Sequence, residues 1–196
     1  MNTPNKLTLG RIIATPVFMA TMLLEFPYHY TVSLIIFILA SLTDMIDGKM
    51  ARKYNLVTDF GKFLDPLADK MLTTAAFLGF ISMYADRKAY CVQMTLIAFI
   101  VLFREFAVSS IRLVAVSSGG KVIAANMWGK VKTVSQMVGI ILALFAYALI
   151  DDFALVGIQG VCDIIIVCIL WLSAVLCIIS GAIYLVGGRE YINSSK

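Results

Sequence analysis

The stretch Val32-Ser-Leu-Ile-Ile-Phe-Ile-Leu-Ala-Ser-Leu-Thr-Asp44-Met-Ile-Asp47 runs from an almost entirely apolar segment into two aspartates three residues apart. A second pair, Asp65 and Asp69, stands four residues apart at the start of the next apolar segment. On a helix, either spacing places both side chains on one face. An ionised carboxylate at membrane depth costs about 2.5–3.5 kcal/mol even on lenient insertion scales. The stretch therefore predicts apolar helices whose ends hold a cation.

The composition is that of a protein embedded in a lipid bilayer. The 196 residues are 61% hydrophobic and only 14% charged, with a mean hydropathy of +0.92, whereas soluble domains carry about 25% charged residues. We expect a single membrane domain over residues 1–196, with no separate soluble domain. Because backbone groups must be satisfied within lipid, the spans should all be helices.

Six apolar segments are candidates for membrane-spanning helices. They are Ile12–Leu24, Val32–Ile46, Leu67–Tyr84, Val92–Val116, Val134–Ile150 and Val161–Val186. The start of the chain, Asn5 to Arg11, predicts a short interfacial segment that leads into the first span. The fold class is thus an all-α integral membrane protein with six transmembrane helices.

Basic residues are distributed unequally between the two sides that six spans would create. One side holds Lys6, Arg11, Lys49, Arg52, Lys53, Lys62, Lys121, Lys130, Lys132, Arg189 and Lys196. The other holds only Arg87 and Lys88, beside several acids. The positive-inside rule then places both termini and the aspartates in the cytoplasm, with the protein in the plasma membrane. The net charge of +4 reflects this bias and an attraction to anionic lipid; no nucleic-acid module is present.

The four aspartates favour hard divalent cations. We expect the helices that carry them to pair antiparallel through a short connection, which would bring the four carboxylates together. Oxygen ligands suit Mg²⁺, Mn²⁺ or Ca²⁺ and argue against zinc, and the only histidine, His29, falls on the opposite side. Two ions bridged by carboxylates are suited to phosphoryl chemistry.

Small and basic residues accompany the aspartates. Gly48 and Gly61 would let a ligand or backbone approach closely, and Ala51 keeps the same face small. Arg52 can grip a phosphate oxygen through its planar fork. A single intramembrane aspartate can also serve as a helix-pairing ion pair, and an ion transporter is a second functional alternative, although transporters favour repeats and broken helices.

The pattern Asp44-x2-Asp47-Gly48-x2-Ala51-Arg52-x8-Gly61-x3-Asp65-x3-Asp69 resembles the signature of the CDP-alcohol phosphotransferase family, with every fixed position filled. Within that family, the chain is similar to the branch of bacterial phosphatidylglycerophosphate synthases. This narrower likeness rests on four short runs: Asn5-x2-Thr8-x2-Arg11, Leu64 to Lys70, Arg104-Glu105 and Gly129-Lys130-x-Lys132-Thr133.

The resemblance implies a reaction and a role for each motif residue. An acceptor hydroxyl would attack the β-phosphate of CDP-diacylglycerol and expel CMP, with Mg²⁺ or Mn²⁺ as the two divalent cations. The residues implied as metal ligands are Asp44, Asp47, Asp65 and Asp69. Asp69 is also implied as the general base, which a neighbouring metal would keep ionised. The implied CDP contacts are Gly48, Ala51, Arg52 and Gly61.

In the branch that the chain resembles, the acceptor is sn-glycerol 3-phosphate, whose phosphate needs a basic pocket of its own. The candidates for that pocket are Arg104, Arg112, Lys130 and Lys132, with Thr8 and Arg11 closing the site. Basic residues argue for a phosphorylated acceptor over serine, but inositol phosphate and a second phospholipid stay open. The resemblance also implies a homodimer; Gly139 and Ala143, four residues apart, permit close packing either between subunits or within the bundle. A divalent-cation transporter is the remote alternative.

Overall fold

A computed structural model describes residues 2–53, 58–117 and 127–187, which form six long helices and no strand in those ranges. The helices are α1 (Thr3–Leu23), α2 (His29–Lys53), α3 (Asp59–Met83), α4 (Lys88–Ser117), α5 (Met127–Tyr147) and α6 (Gln159–Gly187). A π-helical turn, Ala148–Asp152, continues α5, and a short 3₁₀ turn, Val156–Ile158, precedes α6.

The predicted fold class is confirmed: the described chain is all-helical, and each apolar segment falls within one long helix or its extension. Within the described ranges, five segments are long and apolar enough to cross a membrane; they lie in α1, α2, α4, α5 and α6. The sixth helix, α3, is long enough but less apolar, because Asp65, Asp69 and Lys70 interrupt its first half. The predicted interfacial segment forms the first turns of α1 and is continuous with the span. The protein is a multi-pass membrane protein.

Helix α1 lies between the two helices that carry the aspartates. Among the described residues, it packs extensively against both α2 and α3, and these two helices make fewer contacts with each other. Helix α1 thus contributes to the pairing that we expected of α2 and α3 alone. Helix α6 packs against α4 and α5, and α2 contacts α5, which closes the bundle.

Polar contacts identify which helix ends share a side of the bundle. At one end, the starts of α1, α3 and α5 meet the ends of α2, α4 and α6, for example through Thr8 to Asp65 and Arg104 to Ser180. At the other end, the start of α2 meets the turn after α5 through Thr31 and Asp152. We call the first the motif end and the second the far end.

A buried carboxylate fastens the far end. Asp163, at the start of α6, is fully buried and accepts hydrogen bonds from Tyr84 Oη at 2.9 Å and Tyr147 Oη at 2.7 Å. Arg87 pairs with Asp163 and also donates to Tyr147 Oη at 2.7 Å. A buried charge needs such complete pairing, so this group locks α3, α5 and α6 together.

The apolar side chains divide between the core and the lipid-facing surface. Phe18, Phe77 and Leu170 are fully buried between helices. On α4, by contrast, Phe99, Phe103 and Phe106 are 63–66% exposed along one face. Exposed aromatic stripes of this kind suit contact with acyl chains and would be unfavourable in water.

The small residues of α5 pack inside the bundle. Gly139 and Ala143 are buried, and a Cβ atom placed on Gly139 would lie 3.1 Å from Leu170 Cδ2 and 3.2 Å from Ile169 Cγ2 of α6. Glycine thus permits the close approach of α5 and α6. These two positions serve packing within one chain.

Substituting Gly139→Leu should destabilise the fold, because the added side chain overfills a tight helix contact. We expect a loss of about 1–3 kcal/mol, measured as a lower midpoint of thermal unfolding in detergent. The control is Val138→Leu at the neighbouring, half-exposed position, which should leave the midpoint unchanged. Equal midpoints for both variants would contradict the packing described for Gly139.

Candidate metal and phosphate site

Two residues of α1 reach the aspartates of the neighbouring helices. Thr8 and Arg11 lie one helical turn apart and are 1% and 2% exposed. Thr8 Oγ1 donates to Asp65 Oδ1 at 3.0 Å, and Arg11 forms an ion pair with Asp44. One face of α1 therefore holds one carboxylate from α2 and one from α3.

The start of α3 packs closely against α1. Thr58 caps α3 by accepting from the Gly61 amide at 3.0 Å, and the same hydroxyl accepts from Asn5 Nδ2 at 2.8 Å. A Cβ atom on Gly61 would lie 2.8 Å from Asn5 Oδ1. Gly61, expected as a CDP contact, is thus buried at the crossing of α1 and α3, where it lets the two helices touch.

Asp69 faces both acidic and basic groups. Its side chain is exposed, and it interacts electrostatically with Asp44 and Glu105, which repel it, and with Lys132 and Arg11, which attract it. Asp69 therefore stands between the motif and the positive charges of α4 and α5. The carboxylate of Asp47 lies outside the described side chains, so three of the four predicted metal ligands are placed.

The positive charges centre on Glu105 of α4. Lys132 of α5, only 4% exposed, pairs with Glu105, and Arg104 Nη1 lies 3.3 Å from Glu105 Oε1. Arg104 Nη2 also donates to Ser180 Oγ of α6 at 2.6 Å. Two cations share one carboxylate here, which leaves an excess of positive charge.

Gly181 of α6 makes room for Arg104, and Gly129 of α5 lies close to its guanidinium. A Cβ atom on Gly181 of α6 would lie 3.1 Å from Arg104 Cγ, and one on Gly129 of α5 would lie 3.9 Å from Arg104 Nη2. The guanidinium thus runs between two helix backbones, and its Nε is buried without a partner among the described residues.

Further cations extend this group toward the helix ends. Arg112 is exposed; its Nη2 donates to Tyr184 Oη at 3.2 Å and its guanidinium lies 5.7 Å from the Tyr184 ring centre. Lys70, one residue after Asp69, hydrogen-bonds to Ser109. Lys130 is exposed on α5. We call Lys70, Arg104, Arg112, Lys130 and Lys132 the basic cluster.

Lys70 and Glu105 were not among the predicted site residues. Lys70 follows a motif aspartate directly, and Glu105 adjoins the predicted Arg104. Four-residue spacing places Glu105 and Ser109 on one face of α4, and the Ser109 hydroxyl, which contacts Lys70, donates to the Glu105 carbonyl at 2.7 Å. This four-residue spacing was the sequence signal that could have indicated a shared polar face on α4.

The predicted CDP contacts are only partly described. Gly48 is half-buried near the end of α2. Ala51 and Arg52 lie in the last turn of α2, but their side chains are outside the described part of the structure. The motif end therefore combines exposed carboxylates with a neighbouring basic cluster. Such a pair of surfaces can hold a metal-bound diphosphate beside a second phosphate.

A different group of possible metal ligands lies at the far end. His29, Asp151 and Asp152 each offer one ligand atom, and these atoms lie within 4.8 Å of one another. None of the three belongs to the predicted site.

The sequence of this chain is similar to those of known phosphatidyltransferases. Residues 1–179 match the family model described as CDP-alcohol phosphatidyltransferase. A protein of Bacillus subtilis named CDP-diacylglycerol–glycerol-3-phosphate 3-phosphatidyltransferase is 42% identical over 151 residues, which cover 71% of this chain and 74% of that protein. A protein of the same name from Rickettsia bellii is 35% identical over 198 residues and covers 97% of both chains.

A relative with a different name is also similar. A protein of Oryza sativa named cardiolipin synthase (CMP-forming) is 37% identical over 150 residues, which cover 72% of this chain and 45% of that protein. Overall identity therefore does not separate the two names.

Replacing Arg11 with methionine should destabilise the motif end, because Asp44 would lose its buried cationic partner. We expect a loss of about 1.5–3 kcal/mol, the range for hydrogen bonds to charged groups, in thermal unfolding with EDTA present. Lys6→Met, a change at an exposed position of the same helix, is the control and should have little effect. An Arg11→Met protein as stable as the Lys6→Met protein would show that the ion pair contributes nothing.

Proposed function

We propose that this chain, which belongs to the CDP-alcohol phosphatidyltransferase family, transfers the phosphatidyl group of CDP-diacylglycerol to sn-glycerol 3-phosphate and releases CMP. The single observation that carries the acceptor assignment is the basic cluster next to Asp69, because a phosphorylated acceptor needs positive charge beside the reacting hydroxyl. The names of the Bacillus and Rickettsia relatives support the same acceptor.

The carboxylates at the motif end fit two divalent cations, Mg²⁺ or Mn²⁺. Asp65 and Asp69 are exposed and the Asp44 side chain is 40% exposed, so their oxygens are accessible. Asp47, one turn beyond Asp44 on α2, would complete the set. When bound, the cations supply charge neutralisation for the diphosphate and align it for displacement.

Asp69 has the position expected of a general base. In the proposed reaction, the acceptor oxygen forms a bond to the β-phosphorus of CDP-diacylglycerol, while the bond from that phosphorus to the CMP oxygen breaks. The hydroxyl proton passes to the Asp69 carboxylate. Asp69 lies between the diphosphate-binding carboxylates and the basic cluster, so it can reach a hydroxyl whose phosphate is held by that cluster.

The cations of the basic cluster differ in how far other protein groups already bind them. Arg104 is engaged by Glu105 and Ser180, which suits a residue that orients the pocket. Arg112 and Lys130 are exposed, and Lys132 lies beside Glu105. We assign the acceptor phosphate to Arg112, Lys132 and Lys70, with Lys130 at the entrance.

Thr8 and Arg11 receive a different role from the one first expected. Since they contact Asp65 and Asp44, we propose that they orient these carboxylates for the cations. In this proposal they do not contact the acceptor, and any effect on it is indirect, through Asp69. Gly48, Ala51 and Arg52 remain the proposed CDP contacts, and Gly61 supports them by keeping α1 close to α3.

The remaining proposals concern location and assembly. The bias of basic residues toward the motif end supports a cytoplasmic active site, with both termini in the cytoplasm, in a plasma-membrane protein. Family resemblance supports a homodimer. Acceptors other than glycerol 3-phosphate stay as alternatives: inositol phosphate, and a second phospholipid, which the name of the rice relative favours. A divalent-cation transporter would move Mg²⁺ or Mn²⁺ without releasing CMP.

Asp69→Asn should abolish turnover while leaving Mn²⁺ binding largely in place, because the amide cannot take the hydroxyl proton. We expect CMP release to fall at least about 100-fold, the lower range for general base catalysis. Asp86→Asn at the far end is the control and should retain full activity. Substantial CMP release by Asp69→Asn would remove Asp69 from the base role.

The acceptor is tested with labelled CDP-diacylglycerol, Mg²⁺ and a panel of acceptors: glycerol 3-phosphate, inositol phosphate, serine and phosphatidylglycerol. We expect product only with glycerol 3-phosphate, and Arg112→Ala should raise its KM about tenfold or more, with little change in the KM for CDP-diacylglycerol. Lys88→Ala is the control. Product with another acceptor would redirect the assignment, and equal effects of Arg112→Ala on both substrates would exclude the pocket.

A further inference from the structure

The histidine–aspartate group at the far end is remote from the motif. His29 is the first residue of α2, and Asp151 and Asp152 are the last residues of the π-helical turn after α5. With a rise of 1.5 Å per residue, His29 and Asp44 are separated by about 22 Å along α2. The group therefore cannot share ions with the motif aspartates.

The spacing of the ligand atoms is close to that of a coordination shell. His29 Nε2 lies 3.0 Å from Asp151 Oδ2, and all three ligand atoms lie within 4.8 Å of one another. Bonds of about 2.0–2.2 Å to one ion place neighbouring ligands about 3–4 Å apart. The Asp151 side chain is 59% exposed, so it has room to turn toward a bound ion.

Two of the three side chains are already held in place. Asp152 Oδ2 accepts from the Thr31 amide and from Thr31 Oγ1, both at 2.6 Å. The His29 side chain is 10% exposed and its ring centre lies 4.0 Å from that of Tyr30. Hydrogen bonds and packing that orient ligands in this way are typical supports of metal sites.

The His29 ring carries a polar atom that the fold leaves unsatisfied. Its Nδ1 is buried and has no hydrogen-bond partner among the described residues. Burying that nitrogen without a hydrogen bond costs free energy. The other ring nitrogen, Nε2, is the one that faces the carboxylates, through its contact with Asp151.

The surroundings of the group are strongly anionic. The three residues line a cavity of about 800 Å³ whose wall also includes Glu25 and Asp86. No Lys or Arg lines this cavity within the described ranges, and the nearby Arg87 is engaged by Asp163 and Tyr147. Four carboxylates without a cation repel one another, so the cavity favours a bound cation.

The backbone on both sides of the group is strained. Tyr28 and Ala154 have φ values of 63° and 57°, and they are the only described non-glycine residues with positive φ. Tyr28 precedes His29 and packs edge-on against Phe153, which follows Asp152. Strain of this kind persists where the surrounding structure over-determines it.

We propose that His29, Asp151 and Asp152 form a second divalent-cation site, which prefers Mn²⁺ or Zn²⁺ to Mg²⁺ and ties the start of α2 to the turn after α5. One imidazole nitrogen with two carboxylates suits Mn²⁺ and Zn²⁺, whereas Mg²⁺ prefers oxygen ligands. The site is independent of the proposed transferase function.

The test uses the fact that His29 is the only histidine of the chain. The full chain, purified without a histidine tag, is given Mn²⁺ in the presence of excess Mg²⁺, and pulsed electron paramagnetic resonance is recorded. We expect the ¹⁴N modulation of an imidazole ligand on one bound Mn²⁺. Because the motif offers oxygen ligands, this nitrogen signal can come only from His29.

Matched variants separate coordination from a simple ion pair. His29→Gln should abolish the ¹⁴N signal, and Asp151→Asn and Asp152→Asn should each weaken Mn²⁺ binding at least about tenfold. Glu25→Gln, which alters the same cavity outside the ligand set, should change the affinity less than about threefold. The triple variant Asp44→Asn, Asp65→Asn, Asp69→Asn, which removes transferase activity, should keep the signal.

Two results would overturn the proposal. One is a Mn²⁺ spectrum of the unaltered chain without nitrogen coupling. The other concerns the midpoint of thermal unfolding. If Mn²⁺ does not change the midpoint of the unaltered chain, and His29→Gln lowers the midpoint by the same amount with and without Mn²⁺, the group is a structural ion pair. If His29→Gln does not fold, the Asp151→Asn comparison, at an exposed side chain, decides between these outcomes.

Discussion

The contacts of Thr8 with Asp65 and of Arg11 with Asp44 are the interaction on which the motif end depends. Carboxylates that would share an ion repel one another, and among the described residues α2 and α3 contact α1 far more than they contact each other. Helix α1 resolves this by inserting one hydroxyl and one guanidinium between the two helices. The charge of Arg11 lowers the cost of gathering the acids, and both α1 side chains are nearly fully buried, which fixes their direction.

The charges at the motif end are arranged as a gradient. Acidic groups cluster where α1, α2 and α3 meet, and cations cluster where α4, α5 and α6 meet. Asp69 stands at the boundary between them. A substrate pair with a metal-binding diphosphate on one partner and a bare phosphate on the other matches this arrangement, and the reacting atoms would then meet at the boundary.

The sequence predicted the helices and the chemistry better than the packing. Apolar segment lengths and the aspartate spacing depend on local periodicity, so they were readable without a structure. Which helix lies beside which depends on side-chain fit across the bundle; hydropathy could not place α1 between α2 and α3. The same limit explains Gly61 and Gly139: a glycine indicates close approach, but the sequence does not say whether a ligand or a helix approaches. Lys70 was missed because its partner Ser109 lies on another helix.

The position of Thr8 and Arg11 in the first three turns of α1 has a practical consequence for altering the protein. Helix α1 begins at Thr3, so a bulky group attached at the start of this helix would lie only about 8 Å of helix before Thr8. Bulk attached there would crowd the carboxylates of the motif end and disturb the packing of α1 against α2 and α3. Reporters are better inserted in a connection at the far end, such as the exposed turn Val156–Ile158, which leaves the contacts of Tyr84 and Arg87 with Asp163 in place.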